Sequence, residues 1–458
     1  MKLSEFLKFL NINKGEDEKT SKKIIRNTIW IYAGFIFNSL IGVAILPFIL
    51  HRLGNDAYGV FAIVGVVITY VSLLEFGIGT SLAKFIAEYN AKNEYEKINK
   101  TISTALILYL ILGVAGCSII LIFTDYFVTS VFNIPDNLID VSRTVFAISA
   151  VTFLFSLVFG VFGNIIIGLQ RLDILTKAQV AMRVFSSAAV ISILFLGYGL
   201  LEFVIVSSLF VVIGIIINTI IAKRLMQQLS LIPKHFDLKY VYIITSFSFG
   251  IFITNIAANF AFHIDKLIIG IFLPVEYVTI YVVGSTLALF IHRVPSNIVS
   301  VIIPAASELD AKNRGDAIKE LVLKGTKFAV ALSTPLFIVL FVFAHPIMNF
   351  WMGEGFETSA YILQILSIGF FINTLTHAIV PVLVGIGKIR IYTILSILYM
   401  ILNVGLSVPL ILKLGVSGAA IGTSISISIW SLASLVYGMY LFKISPMEFI
   451  KRIIKIKK

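Results

Sequence analysis

Arg293 is a guanidinium embedded in an apolar run over 278–304, fifteen residues from one end and eleven from the other. That is too deep for its stem to carry the charge out comfortably at either end. Such a group recognises oxyanions, because its planar donors match phosphate and carboxylate oxygens through charge-assisted hydrogen bonds. Helical spacing puts Asn297 one turn beyond it and Thr286 two turns before it, on the same face. The preceding run, 241–269, carries Asn255, Asn259 and His263 at intervals of four, with Asp265 just off that stripe. The first run offers Asn38 at its middle, and Glu75 lies in the second at a depth like that of Arg293. Two readings are open for the charged pair. Either Arg293 lines a cavity, with Glu75 a partner that makes and breaks, or the two form a buried structural pair; Glu75 also fits a lower, wetter mouth. Arg143 and Lys266 near outer ends, and Arg183, Lys324 and Lys327 near inner ends, read as snorkelling side chains. His345 and His377 read as local hydrogen-bonding residues. His292 points about 100° away from Arg293 around the helix and is unassigned.

These groups need long apolar elements to hold them, and the chain supplies little else. Of 458 residues, 59% are hydrophobic and 13% charged, with a mean hydropathy of +1.00, against a charged share of about 25% in soluble domains. The apolar residues fall into twelve runs: 27–50, 58–82, 103–124, 141–167, 178–197, 202–222, 241–269, 278–304, 322–347, 359–386, 390–412 and 417–442. Each is near the ~20 residues a helix needs to cross a bilayer core. Continuous runs of this length argue for helices over the ten-residue alternation of a barrel. The predicted fold is all-α, a polytopic membrane protein of about twelve spans.

An even number of spans puts both termini on one side, and lysine and arginine say which. Twenty-eight of them lie in the two tails and the loops sharing their side, against only Arg52 and Lys413 opposite. The positive-inside rule makes the termini cytoplasmic and the protein multi-pass in the cell (cytoplasmic) membrane. The net charge of +12 is then a topological signal beside anionic lipid headgroups, and not a nucleic-acid surface. The segment 1–26 is a basic cytoplasmic tail whose first dozen residues suit a helix lying on membrane lipids. They do not read as a signal peptide, since no small-residue cleavage site follows. The single cysteine, Cys117, permits no internal disulfide.

The chain also resembles itself. Leu53-Gly54-Asn55-Asp56-Ala57-Tyr58-Gly59 aligns with Leu273-Pro274-Val275-Glu276-Tyr277-Val278-Thr279 at an offset of 220, as does Glu88 with Glu308. Gly168-Leu169-Gln170-Arg171 aligns with Gly385-Ile386-Gly387-Lys388 at 217, and Gly197 with Gly415 at 218. Six spans per copy give the two copies one orientation. The expectation is an N-terminal six-helix lobe over 27–222, a cytoplasmic linker over 223–240, a C-terminal six-helix lobe over 241–442 and a basic tail over 443–458, with the lobes around a central cavity.

Arg52-Leu53-Gly54 and Tyr58-Gly59, Phe76-Gly77-Ile78-Gly79, Ile264-Asp265-Lys266-Leu267-Ile268-Ile269-Gly270 and Ile303-Pro304 stand in an order that resembles the polysaccharide biosynthesis transporters. These are the O-antigen-type flippases of the MATE-like multidrug/oligosaccharidyl-lipid/polysaccharide superfamily. The resemblance implies a flippase that moves a polyprenyl-linked oligosaccharide from the cytoplasmic to the outer leaflet by alternating access. It also implies that the first, second, seventh and eighth helices bring Asn38, Glu75, Asn255, Asn259, His263, Asp265, Arg293 and Asn297 to the cavity. A coupling ion, Na+ or H+, fits the same scheme. The alternatives are a cation-coupled multidrug or solute exporter of the same superfamily, which would favour acidic residues in its cavity, and a membrane-embedded glycosyl transferase. The sequence has no GxxxxGK[ST] loop, no HExxH, no Cys/His ligand cluster and no GxSxG, so neither catalytic residues, nor a metal, nor a cofactor is assigned. Pro295 and Pro304 are expected to interrupt the eighth span.

Overall fold

In an apolar run the backbone has no water to bond, so each N–H and C=O must find its partner within the segment. A computed structural model of the chain describes residues 18–230, 236–300, 302–388 and 390–454, with side chains from 30 onward except 247, 249–251, 253–262 and 454. The expected surface helix at the extreme N-terminus lies outside the described residues.

The helices in chain order are α1 (Glu18–Leu53), α2 (Asn55–Val71), α3 (Ile78–Ala91), α4 (Tyr95–Tyr126), α5 (Ile139–Gly168), α6 (Leu172–Phe195), α7 (Leu200–Leu225), α8 (Leu238–Phe272), α9 (Glu276–Val299), α10 (Ile302–Ala311), α11 (Gly315–Val342), α12 (Ala344–Met352), α13 (Glu357–Asn373), α14 (Ile379–Gly385), α15 (Arg390–Leu414), α16 (Val416–Leu441) and α17 (Pro446–Ile454). Among the described residues, eleven stretches are long and apolar enough to cross a membrane. The remaining predicted span, 241–269, falls on α8, whose 35 residues include side chains outside the described set.

Four predicted spans are broken, one of them, 322–347, at Phe343 between α11 and α12. The run 58–82 stops at Val71, passes through a 3-10 turn at Ser72–Glu75, and breaks at the left-handed residues Phe76 (φ 52°) and Gly77 (φ 74°) before α3 begins. The run 359–386 is likewise divided between α13 and α14 by the 3-10 turn Thr374–Thr376. The run 278–304 breaks after Val299, which corrects the expectation for its prolines. Pro295 sits inside α9, where its missing N–H leaves the carbonyl of Ile291 without its helical donor. The Ser333 hydroxyl lies 3.4 Å from that oxygen and 2.9 Å from Ala329 O, so it can serve either. Pro304 falls in the first turn of α10, where an N–H would have no intrahelical acceptor in any case.

The chain forms two units, one of 19–259 with 274–279 and one of 260–273 with 280–458. In the N-terminal unit α5 packs against α4, α7 and α3, enclosing Ile78, Leu82, Ile86, Ile102, Val161 and Ile165. In the C-terminal unit α16 packs against α15 and α13, and α11 against α13. There the described core includes Val299, Ile302, Val322, Ile379 and Val382.

Local geometry repeats from one unit to the other. After α5, Gln170 N bonds Ile167 O and Arg171 N bonds Ile166 O; after α14, Gly387 N bonds Val384 O and Lys388 N bonds Leu383 O. Both are Schellman closures around a left-handed residue, Gln170 at φ 56° and Gly387 at φ 71°. A second pair turns at Asn93 (φ 57°) and Asn313 (φ 54°), 220 residues apart. Close approach repeats as well. A Cβ on Gly168 would stand 2.8 Å from Ala83 O, and one on Gly385 would stand 2.6 Å from Ile303 O, so a side chain at either would have to push backbone aside. Small residues of this kind let helices pack where lipid offers no hydrophobic drive between them.

Candidate functional site

Arg293 is exposed on α9, six residues before the helix stops at Val299. It makes no ion pair among the described residues. His263 and Lys266 of α8 belong to the same unit, and the Arg293 charge lies within electrostatic range of both. The sequence reading named Arg293 and His263 as candidates and left Lys266 aside as a snorkelling residue. Asn297 is half-buried, and its carbonyl accepts the Ser300 hydroxyl at 2.6 Å. Thr286 donates its hydroxyl back to Val282 O at 2.7 Å, satisfying itself within α9. Asn255 and Asn259 lie on α8, but their side chains are outside the described residues.

Asp265, next to Lys266 on α8, is 3% exposed. Its Oδ2 accepts the Tyr281 hydroxyl at 2.6 Å and the Thr423 hydroxyl at 2.7 Å, while Asn403 Nδ2 donates to Thr423 Oγ1 at 3.0 Å. Asp265 Oδ1 and Asn403 Oδ1 are buried without a hydrogen-bond partner among the described residues. A buried carboxylate is costly unless neutralised. Four oxygen-bearing side chains, two with an unpartnered oxygen, can neutralise it by taking up a proton or a hard monovalent cation. The sequence reading named Asp265 but missed Tyr281, Asn403 and Thr423, which reach it from up to 158 residues away.

Beside Arg293, His292 serves structure. Its Nδ1 meets Asn373 Oδ1 at 2.7 Å, Asn373 Nδ2 donates to Ser431 Oγ at 2.9 Å, and His377 reaches His292 O and Asn373 O, both at 3.0 Å. This network holds α9 to the break between α13 and α14, the local role expected of His377. His345 packs edge-on against Tyr361.

In the N-terminal unit, Glu75 Oε1 accepts the N–H of Gly79 at 2.8 Å and the hydroxyl of Tyr109 at 2.9 Å. The break at 72–77 creates a helix N-terminus whose first N–H groups have no intrahelical acceptor, and a carboxylate there also meets the positive end of the α3 dipole. Asn38 lines a cavity of about 770 Å³ among α1, α2, α5, α6 and α7, together with Tyr58, Asn164, Gln179, Arg183 and Asn218. Its Oδ1 is buried without a partner among the described residues. Arg183 is exposed on α6, which begins at Leu172 and not at 178, so that it lies eleven residues from one end of the helix and twelve from the other, about 16 to 18 Å along it.

Two helical units built from continuous and broken membrane-length helices, with polar and basic groups set among them, define a polytopic membrane transporter. Solved structures of that class share the fold. An inward-facing MATE-family multidrug resistance transporter of the MOP superfamily matches with a TM-score of 0.73 at 15% identity, over 92% of this chain and 98% of that one. The lipid II flippase MurJ, in an inward closed conformation, matches at 0.71 and 16%, over 94% and 90%. The family model described as polysaccharide biosynthesis protein matches residues 24–310, and one described as lipid II flippase MurJ matches 286–456. The chain belongs to the polysaccharide biosynthesis protein family. It is 23% identical to a putative O-antigen transporter of Shigella flexneri over 88% of this chain and 95% of that protein. It is 28% identical to a probable low-salt glycan biosynthesis flippase, Agl15, of Haloferax volcanii over 39% and 38%.

Proposed function

We propose that this protein is a flippase, not an enzyme, carrying a polyprenyl-linked oligosaccharide from the cytoplasmic to the outer leaflet of the cell membrane by alternating access. The observation that carries this is the basic cluster of Arg293, His263 and Lys266, whose adjacent carboxylate, Asp265, is engaged by Tyr281 and Thr423. That arrangement leaves the Arg293 and Lys266 side chains as cationic donors for a diphosphate or acidic sugar. A cation exporter would need the opposite polarity. The family match and the glycan-transporter relatives support the same reading. Purified protein in vesicles should accelerate the passage of a fluorescent polyprenyl-diphosphate oligosaccharide from the inner leaflet to an impermeant quencher outside. If the lipid crosses no faster than in empty vesicles while an organic cation is carried, the exporter is the correct reading.

The orientation belongs to the proposal. Both tails and the loop over 223–240 face the cytoplasm, on the strength of the lysine and arginine distribution. With Cys117 replaced, an impermeant thiol reagent on intact cells should label a cysteine at Asn133 and spare one at Ser230; the reverse pattern would invert the topology. The coupling ion, Na+ or H+, is assigned to the Asp265 cluster, where its binding would neutralise a buried carboxylate.

A further inference from the structure

The chain leaves α16 through a sharp turn. Lys443, left-handed at φ 52°, donates its N–H to Tyr440 O at 3.3 Å and Ile444 donates to Met439 O at 2.8 Å, the same closure as after α5 and α14. A new helix starts at once. The Ser445 hydroxyl oxygen accepts the N–H of Glu448 at 3.2 Å, and Pro446 takes the first position of α17, where no N–H is needed. Two ion pairs fix α17 to the first turns of α11, Glu448 to Lys319 at 2.7 Å and Arg452 to Glu320 at 3.0 Å. Ile444 and Phe449 join the core of the C-terminal unit, and Ile453 packs against it. At about 100° per residue, Ile453, Ile450 and Met447 stand about 40°, 100° and 160° round from Phe449, so the apolar arc of α17 runs past the part that the protein covers. Met447 is 64% exposed and Ile450 53%. The end of α16 is bare in the same way, with Val436 and Tyr440 exposed one turn apart, and a tyrosine at the end of a membrane-length helix marks headgroup level. Five residues separate Tyr440 from Pro446, so α17 begins within reach of that level. Charge adds to this. Glu320 and Glu448 between them meet Lys319, Lys324 and Arg452, whereas Lys443 and Lys451 are exposed and form no ion pair among the described residues.

We propose that α17 docks on an anionic bilayer surface, with Met447 and Ile450 entering the boundary between headgroups and acyl chains and Lys443 and Lys451 holding phospholipid phosphates. The short tether to a spanning helix and the surplus of positive charge select lipid over a soluble protein. A second copy fits less well, because two such faces laid together in a symmetric pair would set lysine against lysine. Through its ion pairs to Lys319 and Glu320, a docked α17 ties the start of α11 to the membrane plane. The surface stands on the geometry of the C-terminal unit alone; only its assignment to the cytoplasmic leaflet rests on the topology proposed above.

The test uses the full-length protein with Cys117 replaced, in nanodiscs of phosphatidylcholine with and without phosphatidylglycerol, which expose both faces and so need no topology. A spin label on Met447→Cys or Ile450→Cys should be relaxed by oxygen, which concentrates in lipid, more than by a water-soluble nickel chelate, and more so with phosphatidylglycerol present. A label on Lys312→Cys, in the polar turn after α10, should show the reverse. In detergent, short-chain phosphatidylglycerol should bind more tightly than phosphatidylcholine, and Lys443→Asn and Lys451→Gln should each cost about fivefold of that preference. Asparagine is chosen at 443 because it tolerates the left-handed backbone. Met447→Ser with Ile450→Ser should weaken both lipids alike. Labels at 447 and 450 open to the chelate in both nanodiscs overturn the proposal. So do labels hidden from both probes that cross-link between protomers, which make the face a dimer contact, and labels open in nanodiscs but covered in native membranes, which make it a protein-docking face. Equal affinity for the two lipids removes the anionic preference, and glycerol phosphate binding as tightly as the lipid makes the ligand a free phosphate; either result overturns the assignment.

Discussion

Arg293→Ala will abolish glycan export in cells lacking the native protein, with membrane insertion and protein level close to normal. A structural arginine would be tied into an ion pair, and removing it would leave a buried acid uncompensated at a cost of about 3–5 kcal/mol. Arg293 has no such tie among the described residues, and Glu75 is satisfied by Gly79 and Tyr109 in its own unit. Loss of a charge-assisted contact to the cargo, about 1.5–3 kcal/mol, corresponds to roughly 10- to 100-fold in binding. Arg293→Lys should restore part of the export, since the charge returns without the planar fork. Normal export by the alanine variant rules out cargo contact; loss of the protein from the membrane makes Arg293 structural.

Asp265→Asn is expected to leave a stable protein whose transport no longer responds to the coupling ion. The amide oxygen can still accept from Tyr281 and Thr423, so the local hydrogen bonds survive while the charge does not. Transport measured against Na+ at fixed pH, and against pH without Na+, should show which ion drives the wild type, and the variant should be flat against that ion. Retained ion dependence would move coupling away from this cluster. Asp265→Leu should behave differently, leaving the hydroxyls of Tyr281 and Thr423 without their acceptor and destabilising the C-terminal unit by about 1–3 kcal/mol.

The helical class and the repeat were legible because each is written over many residues: long apolar runs, and turn residues that recur at a nearly constant offset. Asn93 and Asn313, or Gln170 and Gly387, adopt left-handed geometry for reasons local to their own turns. The breaks were not read from the sequence, because polar residues such as Glu75, or Asn373, Thr376 and His377, interrupt the apolar runs too briefly to divide a span-length stretch. Phe76-Gly77 was visible as a motif, but its meaning, a left-handed break that lets Glu75 accept one of the first N–H groups of a new helix, needs coordinates. One boundary moved: the helix read from 178 begins at Leu172, a turn and a half earlier, through the polar residues Asp173 and Lys177. The partners of Asp265 were hidden for a simpler reason. Asn403 and Thr423 are ordinary polar residues on distant helices, and nothing in their spacing points to a carboxylate on α8.

The matched turns carry a consequence for ancestry. A duplicated half-length gene would begin with every feature doubled, yet counting back 220 residues from Arg293 reaches Leu73, and counting forward 217 or 218 from Arg183 reaches Met400 or Ile401. What the halves retain in common is backbone: the Schellman closures, the glycine contacts and the asparagine turns. The two arginines have no counterparts, so the present chemistry of each half was acquired, or lost from the other, after the copies were fused. A protein assembled from two identical halves would keep the scaffold and lack one of the two cationic centres.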